Sequence, residues 1–391
     1  MEILYVSSHF NPFLSDMGSN QRYNLLLRAC AHVAHVDVVV FADGVISDIP
    51  NVDVIYGHNS PLKDYGGRWN RFKRLFRPWN PYSFFQRDKN RAMVIEGILQ
   101  QKKYDFIVTR YIPRALECGL LRYSDRLILD VDDYPVDTIR TIAKNATTTR
   151  ARHYYLLEAW LMQWSMTRLL KKVRFSFFPN ADQLTQNNSA YLPNIPYMEV
   201  EALPLPSAQC HRVLFVGDLR YEPNIIGIEH FITAVWPHII EKVPDAELHV
   251  VGKYGNSKWA DRMTQQKGVK LLGFVEDLIA EYKSTSVCVV PVYSGAGTNI
   301  KVLEALRMHR ACVTSQEATR GFAGILQDGE DLLVAHSDTQ FAQQVIHLLL
   351  DPSKRNAIAD SGRATILNNY SHEKFNAIVK QTIIKEYDQL S

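Results

Sequence analysis

The segment from Pro291 to Leu306, which reads PVYSGAGTNIKVLEAL, places the strongest constraint on what this chain can fold into. The four apolar residues before Pro291 predict a buried parallel strand, and the glycine-rich loop after it lets the backbone turn sharply and approach a ligand. Apolar residues then recur at helical spacing from Ile300, with Thr298 at the expected N-cap. This order of elements favours anion binding, because free N–H groups and the helix dipole both attract phosphate.

Two charged residues, Lys301 and Glu304, lie one turn apart on the predicted helix. A cation near a diphosphate and a carboxylate that accepts two ribose hydroxyls would suit a nucleotide-sugar. The alternative interpretation is an ordinary turn of an α/β sheet, in which the two residues form a solvated pair. This stretch by itself leaves both interpretations open.

Length and composition limit the classes of protein that the chain can belong to. A chain of 391 residues is long for one domain, so we expect two domains of similar size. The net charge of +3 gives no support for a nucleic-acid partner. Five scattered cysteines without CxxC pairs indicate reduced thiols in a cytoplasmic protein. We expect neither a signal peptide nor a membrane-spanning helix.

Strands and helices alternate in the first half. Apolar runs at Ile3–Val6 and Val36–Phe41 flank a helix that opens near Gly18, which is the order found in doubly wound sheets. No GxGxxG fingerprint is present, so a dinucleotide cofactor has no direct support. A strand over Leu127–Val131 ends in carboxylates that include Asp132, at the edge where α/β sites are built. Helix capping and loop solvation are the alternatives, and these carboxylates alone are weak support for a metal.

Residues 63 to 91 form the most charge-biased segment, with nine cations against two carboxylates. Aromatic residues Trp69 and Phe72 recur at helical spacing beside Arg68, Arg71 and Arg74. The pattern predicts a basic amphipathic helix suited to an anionic membrane surface or to a pyrophosphate-bearing acceptor. In the alternative, the aromatic rings pack on the domain and the cations are solvated.

The second half repeats the alternation of strands and helices. A proline-rich connector marks the predicted boundary, with an N-terminal domain over residues 1–205 and a second parallel-sheet domain over 206–370. The first strand of the second domain ends at Gly217. Residues 371–391 predict a final helix.

The second half resembles the donor domain of family 4 glycosyltransferases, which have the GT-B fold. The resemblance rests on five segments in the same order, VLFVG, PDAELHVVG, LLGFVEDL, PVYSGAGTNIKVLEAL and VTSQEATRG. Within them, GAGTNIKVLEA is similar to a bacterial branch associated with the assembly of cell-surface polysaccharides. The first half is similar at Gly18, at the DVDD strand end and at LPNIP.

The resemblance implies an α/β protein with two Rossmann-like parallel-sheet domains that face a central cleft, and a C-terminal helix that crosses back to the first domain. It implies retaining transfer of a sugar from a nucleoside-diphosphate sugar to a hydroxyl of a glycan or lipid-linked acceptor. We expect no metal and no cofactor, because the protein would supply the charge that the diphosphate needs. The expected location is the cytoplasm, at the inner face of the plasma membrane, and no nucleic acid is expected as a partner.

The resemblance and the strand ends together give the candidate site residues. Asp132 and Lys301 are the candidate catalytic residues. The acceptor or membrane side is expected to include Arg68, Trp69, Arg71, Phe72 and Arg74. The donor-binding candidates are Gly18, Arg22, Gly217, Phe274, Gly295, Gly297, Thr298, Asn299, Lys301 and Glu304.

The chain departs from the family pattern at the residues for the donor sugar and the acceptor. The family has two glutamates eight residues apart. Glu304 matches the second, and Ala296 stands where the first would contact the donor sugar. Asp132 stands where the family often has a histidine. Two other functions therefore stay open, a nucleotide-sugar epimerase on the same fold and a non-catalytic nucleotide-sugar-binding subunit.

A further departure concerns the diphosphate. The family's Arg and Lys at this position fall near Asp218 and Asn224, and Asp218 adds a negative charge there. Helix N-termini supply only about half a positive charge each, so a full cation is still required. We expect Lys301 to supply it, with Arg22 as the alternative.

Overall fold

The protein forms two compact units. The computed structural model describes residues 1–8, 10–14, 18–43, 45–59, 77–184, 186–196, 200–255, 257–294, 298–322 and 324–390, with the backbone alone for residues 18, 19 and 257. The first unit comprises Met1–Pro193 together with His372–Ser391, and the second comprises Asn194–Ser371. Each unit has its own parallel sheet, so the two-domain α/β fold predicted from the sequence is confirmed.

The first unit is built on a seven-stranded sheet whose neighbouring strands are all parallel. Its strands are β1 (Glu2–Ser7), β2 (His35–Val40), β3 (Val52–Gly57), β4 (Phe106–Arg110), β5 (Leu127–Asp130), β6 (Phe175–Phe178) and β7 (Ser189–Tyr191). They lie in the order 3-2-1-4-5-6-7, so the winding reverses between β1 and β4. Ligands of doubly wound sheets bind beyond the carboxyl ends of the strands at this reversal.

Helices cover the first sheet. In the described ranges they are α1 (Gly18–Ala31), α2 (Lys89–Gln101), α3 (Ile112–Glu117), α4 (Pro135–Lys144) and α5 (Thr149–Leu170). The side chain of Asp88 caps α2 and that of Thr148 caps α5, because each accepts a backbone N–H of the first turn. The core forms where Met162 and Met166 of α5 join the buried strand residues Ile107 and Leu129.

The second unit has a six-stranded parallel sheet of the same winding. Its strands are β8 (Arg212–Val216), β9 (Glu247–Val251), β10 (Val269–Gly273), β11 (Val287–Val290), β12 (Ala311–Ser315) and β13 (Leu333–Ala335). Their order is 10-9-8-11-12-13, so the winding reverses between β8 and β11. The ends of these two strands are therefore the expected place for a ligand.

The helices of the second unit, in the described ranges, are α6 (Glu222–His230), α7 (Trp236–Lys242), α8 (Ser257–Thr264), α9 (Leu278–Lys283), α10 (Ile300–Arg307), α11 (Asp338–Leu350) and α12 (Pro352–Asn369). A π-helical segment, Phe231–Val235, joins α6 to α7. Pro237, which has no N–H to donate, is the second residue after that segment. The apolar residues along this region are buried in the core of the second unit.

The proline-rich connector belongs to the second unit, so the division falls at Pro193/Asn194 and not at 205/206. Two buried arginines fix the connector by donating to its carbonyl groups. Arg310 donates from Nη2 to Pro204 O over 2.9 Å, and Arg355 donates from Nη2 to Ser207 O over 3.0 Å. These contacts could not be anticipated, because both arginines lie more than 100 residues further along the chain.

The last helix, α13 (His372–Asp388), is part of the first unit. It packs against α1 and buries Phe375, Val379 and Ile383. Its Glu386 pairs with Arg174, which lies just before β6. Within the described ranges, every helix is too short or too polar to cross a bilayer.

Candidate active site

Glycines bring the backbones very close together at the carboxyl edge of the second sheet. A Cβ atom on Gly252, which follows β9, would lie 1.8 Å from the carbonyl oxygen of Gly217, which follows β8. A Cβ on Gly227 of α6 would lie 1.9 Å from the carbonyl oxygen of Pro291, which follows β11. Both distances are far below contact, so only glycine fits at these two positions. The ends of β8 and β11 therefore lie close to α6, at the reversal of the winding.

Helix α10 begins at Ile300 and opens beside this edge. Its N-cap is Asn299, so the expectation that Thr298 occupies this position is wrong. Thr298 instead packs on Gly321, where a Cβ would lie 3.0 Å from its Oγ1. Asn299 donates from Nδ2 to Ala318 O over 3.4 Å. Among the described residues no side chain caps α10. The N–H groups of Ile300 and Val302 donate to the carbonyl groups of Thr298 and Asn299, so this end attracts an anion mainly through the helix dipole.

The side chain of Lys301 runs from α10 to the end of β8. A Cβ on Gly217 would lie 2.7 Å from Lys301 Cε, so a side chain at Gly217 would displace the lysine. Burial lowers the pKa of Lys301, and the negative charge of Glu304 opposes that shift. The lysine is thus a partly desolvated cation at the reversal, where an anionic ligand would stabilise its charged form.

Asn224 and Asp218, the residues that replace the family's cationic pair, have ordered partners. Asn224 is buried and donates from Nδ2 to Asp218 O over 2.8 Å. Its Oδ1 has no hydrogen-bond partner among the described residues. The carboxylate of Asp218 pairs with Arg220 at 2.6 Å. Asp218 therefore does not bring an uncompensated negative charge to the site, which corrects the expectation from the sequence.

The Asp218–Arg220 pair is exposed, and Lys253 lies close enough to contribute. The Arg220 guanidinium holds the pKa of Asp218 below its usual range, and Lys253 acts in the same direction. An exposed ion pair contributes only about 0–1 kcal/mol. A phosphate could therefore replace Asp218 as the partner of Arg220 at little cost in free energy.

Glu304 lies one turn after Lys301 on α10 and is partly buried. Burial raises the pKa of its carboxyl from 4.5 to about 7, and Lys301 opposes the shift. The ionised form is therefore disfavoured in the empty protein. As the pH rises from about 4.5 to about 7, this group lowers the free energy of unfolding, so the protein becomes less stable. Two hydroxyl donors would stabilise the ionised form.

We expect donor binding to strengthen as the pH rises through 7. A carboxyl with a pKa of about 7 is roughly tenfold more ionised at pH 8 than at pH 6, and only the ionised group accepts both ribose hydroxyls. Titration calorimetry with a nucleoside-diphosphate sugar should give about tenfold tighter binding at pH 8. This ligand is chosen because its esterified diphosphate does not titrate in this range.

Glu304→Gln is the control for this pH dependence. This variant should bind the donor weakly and with the same affinity at both pH values. Its binding free energy should be weaker by roughly 1–3 kcal/mol, because the charged hydrogen bonds to the ribose are lost. Wild-type affinity that is the same at pH 6 and pH 8 would remove Glu304 from the binding site.

Phe274 lies directly after β10, and its side chain is 68% exposed. Lys253 Nζ stands 5.0 Å from the centre of its ring. An exposed aromatic ring next to a cation at a strand's carboxyl end offers a flat surface on which a nucleotide base can stack. Through Lys253 it is linked to the Asp218–Arg220 pair and so to the end of β8.

The first unit has a separate cluster of charges where β4 and β5 end. Asp130 is fully buried and accepts two hydrogen bonds from Arg22, at 2.8 Å from Nε and 2.7 Å from Nη2. Arg110 Nε lies 3.3 Å from the same carboxylate. Arg22 also donates to the carbonyl groups of Leu192 and Pro193. These contacts give Arg22 a structural role within the first unit, contrary to the expectation that it serves the diphosphate.

Asp132 follows β5 and lies beside this cluster. It pairs with Arg110 Nη2, and Tyr111 Oη lies 3.5 Å from its Oδ2. Tyr111 has a positive φ of 67°, which is rare for a residue with a side chain and is found mainly at functional sites. The charge of Asp132 is therefore matched by Arg110, and its orientation is fixed.

Asp133 is the group in this cluster whose protonation changes near neutral pH. Asp133 is an exposed residue, and its carboxyl is desolvated on the side that faces the protein. This partial desolvation, with the negative charge of Asp132, raises its pKa to about 7. A carboxylate with this pKa is suited to accept a proton. The sequence placed Asp133 in the DVDD strand end but could not distinguish it from Asp132.

Some predicted site residues lie outside the described ranges. These are Gly295 and Gly297, together with Arg68, Trp69, Arg71, Phe72 and Arg74 of the basic segment. Gly18 is the first residue of α1. Of the remaining candidates, the structure brings Gly217 and Lys301 together, and it places Thr298, Asn299 and Glu304 on or next to α10.

Sequence reasoning missed three charged residues and one tyrosine at the two sheet edges. Arg220 and Lys253 in the second unit, and Arg110 and Tyr111 in the first, were not singled out. Each lies at the carboxyl end of a strand or within four residues after it, and this position is the signal that could have found them.

The described residues include one group with the spacing of a metal site, Glu2, His35 and Asp37. The ammonium of Lys102 already bridges its two carboxylates, at 2.7 Å from Glu2 and 2.8 Å from Asp37. These residues lie at the amino-terminal ends of β1 and β2, the edge opposite to Asp132. The group is therefore an ion-pair cluster.

The comparison with known families matches residues 210–351 to the family described as glycosyl transferases group 1. A Klebsiella pneumoniae protein, described as an uncharacterized 44.6 kDa protein in the cps region, is 25% identical over 305 residues, which are 75% of this chain and 78% of the relative. The matched family segment spans β8 to α11, the part of the second unit that contains Gly217, Lys301 and Glu304.

Solved glycosyltransferases have the same fold over almost the whole chain. Sucrose-phosphate synthase from Thermosynechococcus elongatus has a TM-score of 0.69 at 16% identity and covers 100% of both chains. HepE of Anabaena, solved in complex with UDP-glucose, has a TM-score of 0.61 at 14% identity, with 98% of this chain and 100% of that chain covered. WaaG, a glycosyltransferase involved in lipopolysaccharide biosynthesis, has a TM-score of 0.61 at 16% identity, with 97% and 99% covered. Residues 210–351 thus match the group 1 glycosyltransferase family, and the two units together have the fold of solved GT-B glycosyltransferases.

Proposed function

We propose that this chain transfers a sugar from a nucleoside-diphosphate sugar to a hydroxyl of a glycan or lipid-linked acceptor in the assembly of a cell-surface polysaccharide. One observation carries the proposal. The side chain of Lys301 lies against Gly217 at the winding reversal of the second sheet, and Glu304 stands one turn further along the same helix. A cation and a carboxylate at this spacing suit the diphosphate and the ribose of one donor.

The donor is held by the second unit in this proposal. The ribose hydroxyls donate to Glu304, and the base stacks on the exposed ring of Phe274. The diphosphate takes its charge balance from Lys301, from the positive end of the α10 helix dipole, and from Arg220 after it leaves Asp218. Preorganised donors of this kind stabilise the charge that develops on the leaving group and are usually the largest catalytic contribution. No resident metal and no cofactor are part of the proposal.

The reaction breaks the bond between the anomeric carbon and the diphosphate oxygen, and the diphosphate leaves with the electron pair. The acceptor oxygen forms the new bond to the anomeric carbon and loses its proton. We propose retention of configuration, because the resemblance to family 4 glycosyltransferases implies it. Asp132, held by Arg110 and Tyr111, would orient the acceptor hydroxyl, and Asp133 would accept its proton.

The rate of transfer should increase as the pH rises through 7 if Asp133 accepts the proton. Its pKa of about 7 means that the accepting form increases over this range. Asp133→Asn should lower kcat by about a hundredfold, the lower end for a lost proton acceptor, with donor affinity unchanged. The measurement is a kcat profile from pH 6 to pH 8 at saturating donor.

Asp132→Asn is the matched variant for this experiment. It should lower kcat through loss of orientation and shift the pH dependence to lower pH, because loss of its negative charge lowers the pKa of Asp133. Equal loss of donor binding and turnover in either variant would show that the residue is structural. A pH profile that Asp133→Asn leaves unchanged would assign the proton to another acceptor.

The donor should be identified first, by thermal shift against UDP, GDP, ADP and their sugars, since a ligand that binds only the folded state raises the melting temperature. The UDP-glucose complex of HepE and the cps-region relative make UDP-sugars and capsular glycans the first compounds to try. Free epimer formed without acceptor would support the epimerase alternative. Tight binding without turnover for every donor would support a binding subunit. Full activity in excess chelator is expected.

A further inference from the structure

The outward face of α5 carries an unusual set of apolar residues. Leu156, Leu157, Trp160 and Trp164 recur at helical spacing, and all four are exposed, Trp160 by 66% of its surface. The opposite face of the same helix is buried in the core of the first unit. Trp79, which is 51% exposed, stands edge-to-face to Trp164 at 6.5 Å. We call these five residues the tryptophan stripe.

Cations flank the stripe at both ends of the helix. Arg150 and Arg152 lie at its start, and Arg168, Lys171 and Lys172 lie at its end. The guanidinium of Arg168 stands 5.5 Å from the ring centre of Trp164. The only acid of residues 149–172, Glu158, is buried on the other face. The exposed face of α5 is therefore apolar in its centre and positive at its edges.

A cavity of about 550 Å³ opens directly beside the stripe. Its lining includes Trp79 and the cations Arg77, Arg168 and Lys172, and no carboxylate is among the described residues that line it. Ser165 also lines it. The Oγ of Ser165 is buried and has no hydrogen-bond partner among the described residues. A buried hydroxyl without a partner, facing three cations, is suited to a phosphate.

We propose that the tryptophan stripe binds the surface of an anionic membrane, with the cavity holding the phosphate of a lipid headgroup. Tryptophan is favoured where one end of a side chain is apolar and the other is wet, and cations next to apolar residues are typical of helices that lie in the interface plane. A protein partner presents charges of both signs, whereas the charged residues that are exposed on α5 or described as lining the cavity are all cations. The charge pattern therefore favours a lipid surface. The proposal is independent of the transferase function.

This surface differs from the one that the sequence predicted. The basic segment around residues 68–74 lies outside the described ranges, whereas the tryptophan stripe is formed by α5 and by Trp79. The tryptophan stripe could not be predicted from the sequence, because α5 is apolar on both faces and its periodicity therefore gives no amphipathic signal.

Sedimentation with vesicles tests the proposal on the full chain. Vesicles of phosphatidylcholine with phosphatidylglycerol should bind the protein, vesicles of phosphatidylcholine alone should bind it weakly, and added salt should release it. Trp160→Gln combined with Trp164→Gln should lower the partition coefficient at least tenfold. Arg168→Glu combined with Lys172→Glu should do the same, because each surface cation contributes about a fivefold factor.

Matched controls are available on the second unit. Leu350→Gln removes an apolar residue that is 58% exposed, and Lys267→Glu combined with Lys283→Glu makes the same change in net charge. Both controls should bind vesicles like the wild type, and every variant should keep its melting temperature. Quenching of tryptophan fluorescence by brominated lipid should be reduced by the double tryptophan change.

Two results would overturn the proposal. The first is binding without preference for the anionic lipid, or equal binding by the stripe variants and the controls. The second is self-association of the chain in solution that the double tryptophan change abolishes while vesicle binding is absent, since the stripe would then contact a second copy. Transfer to a soluble acceptor is expected to be unaffected in all variants, so loss of vesicle binding is distinguishable from failure of the transferase function.

Discussion

Lys301→Met is expected to lower turnover by about a thousandfold and to weaken the binding of a nucleoside diphosphate much more than that of the bare nucleoside. The methionine keeps an apolar stem of similar length against Gly217 and removes only the charge. Loss of one preorganised group that stabilises a developing anion costs about 10²–10³ in rate, and the diphosphate additionally loses charged hydrogen bonds of roughly 1.5–3 kcal/mol. Calorimetry with UDP and with uridine separates the two effects, once the base is established.

Lys283→Met is the matched control for this variant. Lys283 is an exposed lysine of the same unit, at the end of α9, and its replacement should change neither affinity nor turnover. If Lys301→Met weakens the nucleoside and the diphosphate alike, the lysine serves Glu304 and not the phosphate. Arg220 would then be the better candidate for the diphosphate, and Arg220→Ala should show the selective loss.

Asp130→Ala is expected to destabilise the first unit by about 3–5 kcal/mol, because it leaves Asp132 as the nearby carboxylate for the two buried guanidinium groups of Arg22 and Arg110. Arg22 and Arg110 are each only 2% exposed, and Asp130 is fully buried. Neither arginine can lose its proton, so removal of the Asp130 carboxylate leaves one net positive charge buried in the cluster. Denaturant unfolding, followed separately for each unit, should show an earlier transition of the first unit alone.

Asp53→Asn provides the comparison within the same unit. Asp53 pairs with His35 over 3.2 Å, but its side chain is 69% exposed, and pairs of this kind contribute about 0–1 kcal/mol. Its replacement should leave the transition almost unchanged. A loss below about 1 kcal/mol for Asp130→Ala would mean that water or another carboxylate takes the place of Asp130. Nucleotide binding by the second unit should be preserved in both variants.

The sequence predicted most of the fold because buried parallel strands are continuous apolar runs. Val287–Val290 forms β11 as predicted, and the alternation with helices gave both parallel sheets. No pattern predicted β3 and β13, which are the edge strands of their sheets on one side. Short edge strands owe their pairing to the neighbouring strand more than to their own residues.

The donor side was predictable where a local motif carries it. The glycine-rich loop, Lys301 and Glu304 are close in sequence, so helical spacing alone placed the two charges. The N-cap was wrong, since Thr298 packs on Gly321, which lies 23 positions later in the chain. The raised pKa of Glu304 could not be predicted from the sequence either, because it depends on burial by residues from other elements.

Charge pairing across the chain limited the rest of the prediction. Arg22 was a reasonable anchor for a diphosphate in sequence terms, but Asp130 pairs with it from 108 residues away. Asp218 was expected to oppose an anion, but its pair with Arg220 cancels the charge. A count of charges along a sequence cannot show which of them are already matched in the folded protein.

The return of α13 to the first unit sets the order in which the protein is completed during synthesis. Residues 194–371 are contiguous, so the second unit has all of its chain before α13 has been made. At about 5–20 residues per second, the ribosome needs roughly ten to forty seconds to pass from residue 194 to the end. During this interval α1 lacks the helix that covers it. A chain that stops before residue 372 would therefore contain the whole second unit while its first unit still lacks α13.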